Sequence, residues 1–176
     1  MKTRPARETK TKASANLEEL AKRIQLLEDR EGVRECLSRY CFNADLGRAE
    51  EYANTFTPDG VLDMAGASLI GHDGLLDMFA GANVHTSIMN LCTHNITNAF
   101  IRVDGDTAWA EGYQIVLVKD RNGEERRVRW MGMNHWTFEK RSGRWYIKKR
   151  VRREAGGDEW GGKIIRQYLE TTQAGT

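Results

Sequence analysis

Four β-rich stretches fill the second half of the chain, at roughly residues 90–103, 107–119, 126–140 and 145–153, and they constrain the fold more than any other feature. Asp104-Gly105-Asp106, Asp120-Arg121-Asn122-Gly123 and Arg141-Ser142-Gly143 lie between them, each a hairpin composition joining consecutive antiparallel strands. Two shorter strands precede them, at Val61, Leu62 and Met64 and at Leu69-Ile70-Gly71, with a helix from Asp73 to about Phe79. Further upstream the apolar period changes from 2 to 3.6. Val33, Cys36, Leu37, Tyr40, Cys41 and Ala44 fall at i, i+3, i+4, i+7, i+8 and i+11, a single-faced helix that Gly47 can end. Helices followed by an antiparallel meander specify an α+β fold rather than a wound α/β one.

An earlier helix begins at an Asn16 N-cap, with Glu19 at capping-box spacing, and carries Leu17, Leu20, Ala21, Ile24 and Leu27. Gly32 interrupts it. A short helix from Arg48 to Phe56 stops at the turn signal Thr57-Pro58-Asp59-Gly60. At 176 residues one domain is expected, over 16–155. A mobile basic tail precedes it over 1–15. Residues 156–176, with Gly156-Gly157, Gly161-Gly162 and a short segment from Ile164 to Leu169, read as a flap or docking segment.

Several functions are disfavoured. No apolar run approaches the roughly 18 residues of a membrane span, and the basic N-terminus has no apolar stretch behind it to make a secretory signal. The three cysteines, Cys36, Cys41 and Cys92, form no CxxC and fit a reduced, cytoplasmic protein. His72, His85, His94 and His135 form no metal-binding pattern, so no metal is expected. No phosphate loop and no GxSxG is present. Residues 140–153 hold eight Lys or Arg beside Trp145 and Tyr146. Strand alternation accounts for these as one polar face, with Tyr146, Lys148, Arg150 and Arg152 opposite Trp145, Ile147 and Val151. A net charge of +2 adds no case for nucleic acid.

Two residues carry candidate chemistry. Asp45 ends the main helix, where the macrodipole disfavours negative charge, four residues beyond buried Cys41. It is either a general base or the cap of the next helix. His94 shares a strand face with Ile96 and Asn98. A lone strand histidine more often satisfies a core hydrogen bond than catalyses.

The phrases RYCFNADLGRAEEYANTFTPDG, IGHDGL, CTHNITN followed by VDGD, and FEK followed by GRW resemble, in order and spacing, the SnoaL-like branch of the nuclear-transport-factor-2-like superfamily. Within it the chain looks most like hexachlorocyclohexane dehydrochlorinase, scytalone dehydratase and bile-acid dehydratase. The resemblance, over residues 17–153, implies a cone-shaped α+β barrel, a curved mixed six-stranded sheet wrapped by N-terminal helices around an apolar pocket. It implies Asp45 and His94 as a facing catalytic pair, Tyr40 as a third catalytic residue, and an Arg of the last strand, Arg150 or Arg152, against the substrate. No second pocket histidine is expected, because His135 points away from the face of Asn134, Trp136 and Phe138. Those three are pocket-wall candidates, together with Phe56, Met64, Met78, Phe79 and Met89. Asn98, Trp109, Tyr113 and Met131 complete the set.

The expected activity is a cofactor-independent lyase that removes water or HX from a hydrophobic, cyclic, oxygenated small molecule. An isomerase or cyclase using the same pair is the alternative, and a non-catalytic binding or assembly module is the alternative outside enzymes. The resemblance also implies self-association as a homodimer or homotrimer, with neither nucleic acid nor membrane as a partner.

Overall fold

The computed structural model describes residues 5–120, 122, 124–154 and 159–173. Helix α1 (Pro5–Asp45) and the short α2 (Ala49–Ala53) lead into strands β1 (Phe56–Met64) and β2 (Ala67–Ile70). Helix α3 (Gly71–Leu76), a 3-10 turn at Asp77–Phe79 and α4 (Val84–Ile88) follow. Strands β3 (Cys92–Asp104), β4 (Thr107–Lys119), β5 (Arg126–Arg141) and β6 (Arg144–Glu154) come next, then α5 (Glu159–Gln173). The strands form one curved, unclosed sheet in the order β2-β1-β6-β5-β4-β3. Only β1 and β6 pair in parallel, so the sheet is mixed. This is the α+β cone expected from the helix-then-meander order.

The stripe Val33, Cys36, Leu37, Tyr40, Cys41 and Ala44 is buried against the concave face of the sheet, where it meets Trp136, Phe138, Trp145 and Ile147. Burial of each larger apolar side chain in that layer contributes about 1.5–3 kcal/mol. Helix α5 covers the convex face: Gly161 lies on Met133, and the Tyr168 ring stacks on Phe100 with centroids 3.7 Å apart. Among the described residues no helix is long and apolar enough to cross a membrane.

Four elements depart from the sequence pattern. Helix α1 starts at Pro5 rather than Asn16, because nothing between Pro5 and Gly47 breaks a helix and proline is tolerated in a first turn. Residues 1–4 of the expected tail, and Gly156-Gly157 in the C-terminal segment, lie outside the described residues. Strand β1 starts at Phe56, and the turn signal at Pro58 becomes a bulge, where the pairing with β6 shifts between Phe56 and Val61. Neither α4 nor the full length of α5 was legible in the sequence.

Gly32 does not interrupt α1; it admits Trp145. A Cβ at residue 32 would stand 2.8 Å from Trp145 Cδ1. The indole cannot swing aside, because its Nε1–H donates to Asp29 (3.2 Å), which also accepts from Lys140 Nζ (2.6 Å) and Gln25 Nε2 (3.2 Å). Burial alone would push the Asp29 carboxyl up, but these hydrogen bonds outweigh it and hold it below the usual carboxylate range.

Gly32→Ala therefore reverses the usual rule. Helix propensity alone would add about 1 kcal/mol, but overpacking costs about 1–3 kcal/mol. We expect a lower melting temperature by circular dichroism, and recovery when Trp145→Phe is combined with it.

Candidate active site

Gly47 adopts a left-handed φ of +66° and ends α1, while Arg48 N–H returns to Asn43 O at 2.9 Å. The Asp45 carbonyl accepts from Asn90 N–H at 2.9 Å, which fixes the helix end against the entry to β3. Asp45 does not cap α2, whose N-cap is Arg48 without a side-chain bond. Its carboxylate turns to β3 instead. Oδ1 lies 2.6 Å from His94 Nδ1, accepts from His94 N–H at 3.0 Å, and takes a long contact from Cys92 Sγ at 3.5 Å. Oδ2 also accepts from His94 N–H, at 3.2 Å.

An ionised carboxylate only accepts, so the proton between the two side chains sits on His94 Nδ1. That leaves Nε2 as the bare, basic nitrogen. His94 lines a cavity of about 560 Å³. The cavity wall is largely apolar, with Leu62, Met64, Leu69, Met78, Ile88 and Val116.

His85 of α4 lines the same cavity, its ring centroid 6.2 Å from that of His94. Its Nε2 is buried and has no hydrogen-bond partner among the described residues. Burial first, and the neighbouring His94 second, push its pKa down to about 4, although Asp45 pulls the other way. At neutral pH it is an uncharged imidazole. The expectation of no second pocket histidine is thus corrected. His85 sits on a short helix with no apolar period, held by an Asn83–Thr86 capping box, and only that box was a readable signal.

Tyr40 reaches the cavity from α1, and the Arg150 guanidinium of β6 donates to its hydroxyl. Arg150 is 2% exposed. Its Nε and Nη2 donate to Asn134 Oδ1 (2.9 and 2.7 Å), and Nη2 donates to Gln114 Oε1. With the phenol oxygen occupied as acceptor, the Tyr40 O–H is left to donate elsewhere. Arg152 lines the cavity too. The two arginines face inward together with Trp145 and Ile147, although the alternation had put them opposite. A bulge at Lys148 inserts one residue into β6, and every side chain beyond it changes face.

Met64 and Met78 join Tyr40, His94, Arg150 and Arg152 on the cavity wall. The other expected wall residues do not. Phe56, Trp136 and Phe138 are sealed in the core, Phe56 against the rings of Tyr40 and Tyr52. Phe79 packs edge-on to His85, behind the wall. Asn134 lies beneath Arg150, and Met89 packs by Gly47. Asn98 sits at a bulge in β3 with φ of 51° and is exposed. Trp109, Tyr113 and Met131 belong to the convex face; Trp109 stacks near His135, and Met131 is 48% exposed. Inward on β4 are Gln114 and Val116, a parity that periodicity could not set because both faces of that strand are covered.

Asp45, Cys92 and His94 place donor atoms within 4.8 Å of one another, a spacing that could hold one metal ion. The sequence pattern concealed it, because the aspartate comes from another element. In the absence of an ion, burial, the Asp45 charge and the contact to Asp45 push the Cys92 thiol up to about 12.

The folded state holds His85 below its ordinary value, so the unfolded chain binds more protons between pH 6.5 and about 4. Stability falls as pH drops through that window. His85→Gln should flatten this part of a melting-temperature profile relative to the parent chain.

The chain matches the SnoaL-like domain family over residues 25–151. Among solved structures it is similar to an NTF2-like protein with a cystatin-like fold from Novosphingobium aromaticivorans. They share 29% identity, covering 85% of this chain and 96% of that one, with a TM-score of 0.77. A protein of unknown function from Mycobacterium tuberculosis shares 24% identity, covers 74% and 73%, and gives 0.64. A protein from Catenulispora acidiphila in complex with S-DNPA shares 24% identity, covers 70% and 91%, and gives 0.61. The last two bear on the fold alone. No curated protein matches the chain.

Proposed function

The chain belongs to the SnoaL-like domain family, and on that premise we propose that it is an acid–base lyase working without a cofactor on a cyclic, oxygenated small molecule. The observation that carries this reading is the His94–Asp45 pair, 2.6 Å apart, with His94 on the wall of a largely apolar cavity and Asp45 behind it.

In the proposed reaction, His94 Nε2 takes a proton from the carbon next to a ring carbonyl. Asp45, already bonded to Nδ1–H, stabilises the imidazolium that forms. The electron pair of the broken C–H bond moves onto the carbonyl as an enolate, and the Tyr40 O–H, held by Arg150, donates to that oxygen. The enolate then expels the β-hydroxyl, which leaves as water with the proton returned by His94. His85 hydrogen-bonds the departing oxygen while staying neutral. The ring system fills the space bounded by Leu62, Met64, Leu69, Met78 and Val116. Isomerisation shares the first step and differs only in where the proton is returned.

The test is a panel of cyclic β-hydroxyketones, following the absorbance of the conjugated enone. His94→Gln should lower kcat by about 10²–10⁴ with an unchanged melt, and Asp45→Asn should lower it with KM little altered. A His94→Gln protein that loses activity only in proportion to its folded fraction would overturn the reading.

A further inference from the structure

The cavity is lined by three guanidiniums, those of Arg129, Arg150 and Arg152, and among its lining residues only the exposed Asp77 carries a carboxylate. Asp45 lies behind His94 and is occupied by it. Arg150 is fully engaged, but every acceptor it uses is neutral: Tyr40, Gln114 and Asn134. Its charge is spread over hydrogen bonds and cancelled by none of them.

Arg152 differs. Its guanidinium lies 4.4 Å from the centroid of the Trp130 ring, and among the described residues it makes neither an ion pair nor a side-chain hydrogen bond. Glu154, exposed two residues along the strand, offsets it only weakly. Burial and the charge of Arg150 both depress its pKa, which measures how poorly this cation is compensated. The stacking that positions it is itself built in. The Trp130 ring lies over Gly132, where a Cβ would stand 2.3 Å from the ring and 2.2 Å from the Arg153 carbonyl. Arg129 stands beside them because the β4–β5 pairing shifts between Val116 and Leu117, leaving it as the extra residue that turns to the cavity mouth.

A stacked, partly buried guanidinium with all its donors free fits a planar oxyanion. We propose that the ligand of this cavity is an organic acid, a ring system whose carboxylate is held by Arg152 on the Trp130 shelf, with Arg129 attracting it at the entrance. This places the carboxylate across the cavity from the reacting carbon at His94, and that assignment of ends rests on the acid–base reading above. The carboxylate site itself does not.

Calorimetric titration with matched pairs tests it: benzoate against benzamide, 2-naphthoate against 2-naphthamide, and anthraquinone-2-carboxylate against its amide. The acid should bind more tightly than its amide by on the order of tenfold or more, with the gap narrowing as salt rises. Arg152→Met, which keeps the length and apolar stem, should remove the preference while leaving amide binding in place, and Arg152→Lys should restore part of it. His94→Gln should keep the preference. Equal or tighter amide binding, an undiminished preference in Arg152→Met, or no binding of any acid at millimolar concentration would overturn the proposal. A protein that prefers acids yet eliminates nothing sinks the lyase reading alone; one that turns over hydroxyketones yet prefers amides sinks this inference alone.

Discussion

Arg150 is the group around which the concave side of the sheet is organised. Removing a guanidinium from water costs several kcal/mol, and nothing short of dense hydrogen bonding offsets it. Here α1 supplies the Tyr40 oxygen, β4 supplies Gln114 and β5 supplies Asn134. The ring faces of Tyr40 and Trp136 lie 5.1 and 5.9 Å from the cation. Helix and three strands must all be in place before the charge is satisfied, so this one residue couples closure of the cone to its inner electrostatics. Because every acceptor is neutral, the fold spends packing and polarity on burying a charge without cancelling it. The interior that results has a largely apolar wall in which Arg150 is paired with no carboxylate.

Strand irregularities, more than strand identity, decide which side chains the cavity receives. The bulge at Lys148 brings Arg150 and Arg152 inward, and the one near Arg129 brings that residue to the mouth. A third, between Thr97 and Phe100, turns Asn98 out. Each inserts a residue, and with a period of 2 a single insertion inverts every face beyond it. The element order and hairpins were legible because turn residues and alternation are local signals. The faces were not, because a bulge is settled by what packs on both sides of the sheet. The same reason misplaced Trp109 and Tyr113, whose face is covered by its own neighbours and by α5. Apolar content on that strand therefore carried no sign of inside or outside.

The Asp45–His94 pair was readable for a different reason. Both residues sit at element boundaries whose positions follow from strong signals, a glycine helix stop and the first turn of alternation after a loop. The resemblance then fixed their relation. His85 had no such frame. It lies on a five-residue helix between two short turns, where side-chain direction depends on the capping box and on Phe79, which meets its ring edge-on at 4.7 Å. Gly32 was misread for a related cause. Taken alone, a glycine in a helical pattern suggests a break; its true partner, Trp145, is far away in sequence.

Two imidazoles stand beside one carboxylate, and they are not equivalent. The difference is one of anchoring rather than of distance alone. Asp45 accepts the backbone N–H of His94 through both oxygens and the ring of the same residue through one, so the carboxylate is locked to His94 at three points and has little freedom to turn. His85 feels that carboxylate only through space, and burial outweighs the attraction. His94, whose ring centroid is 6.2 Å away, adds to the effect of burial on His85. In the proposed reaction one imidazole is tied to the carboxylate, and the other remains a neutral hydrogen-bonding group. That division follows from where a single carboxylate is tied.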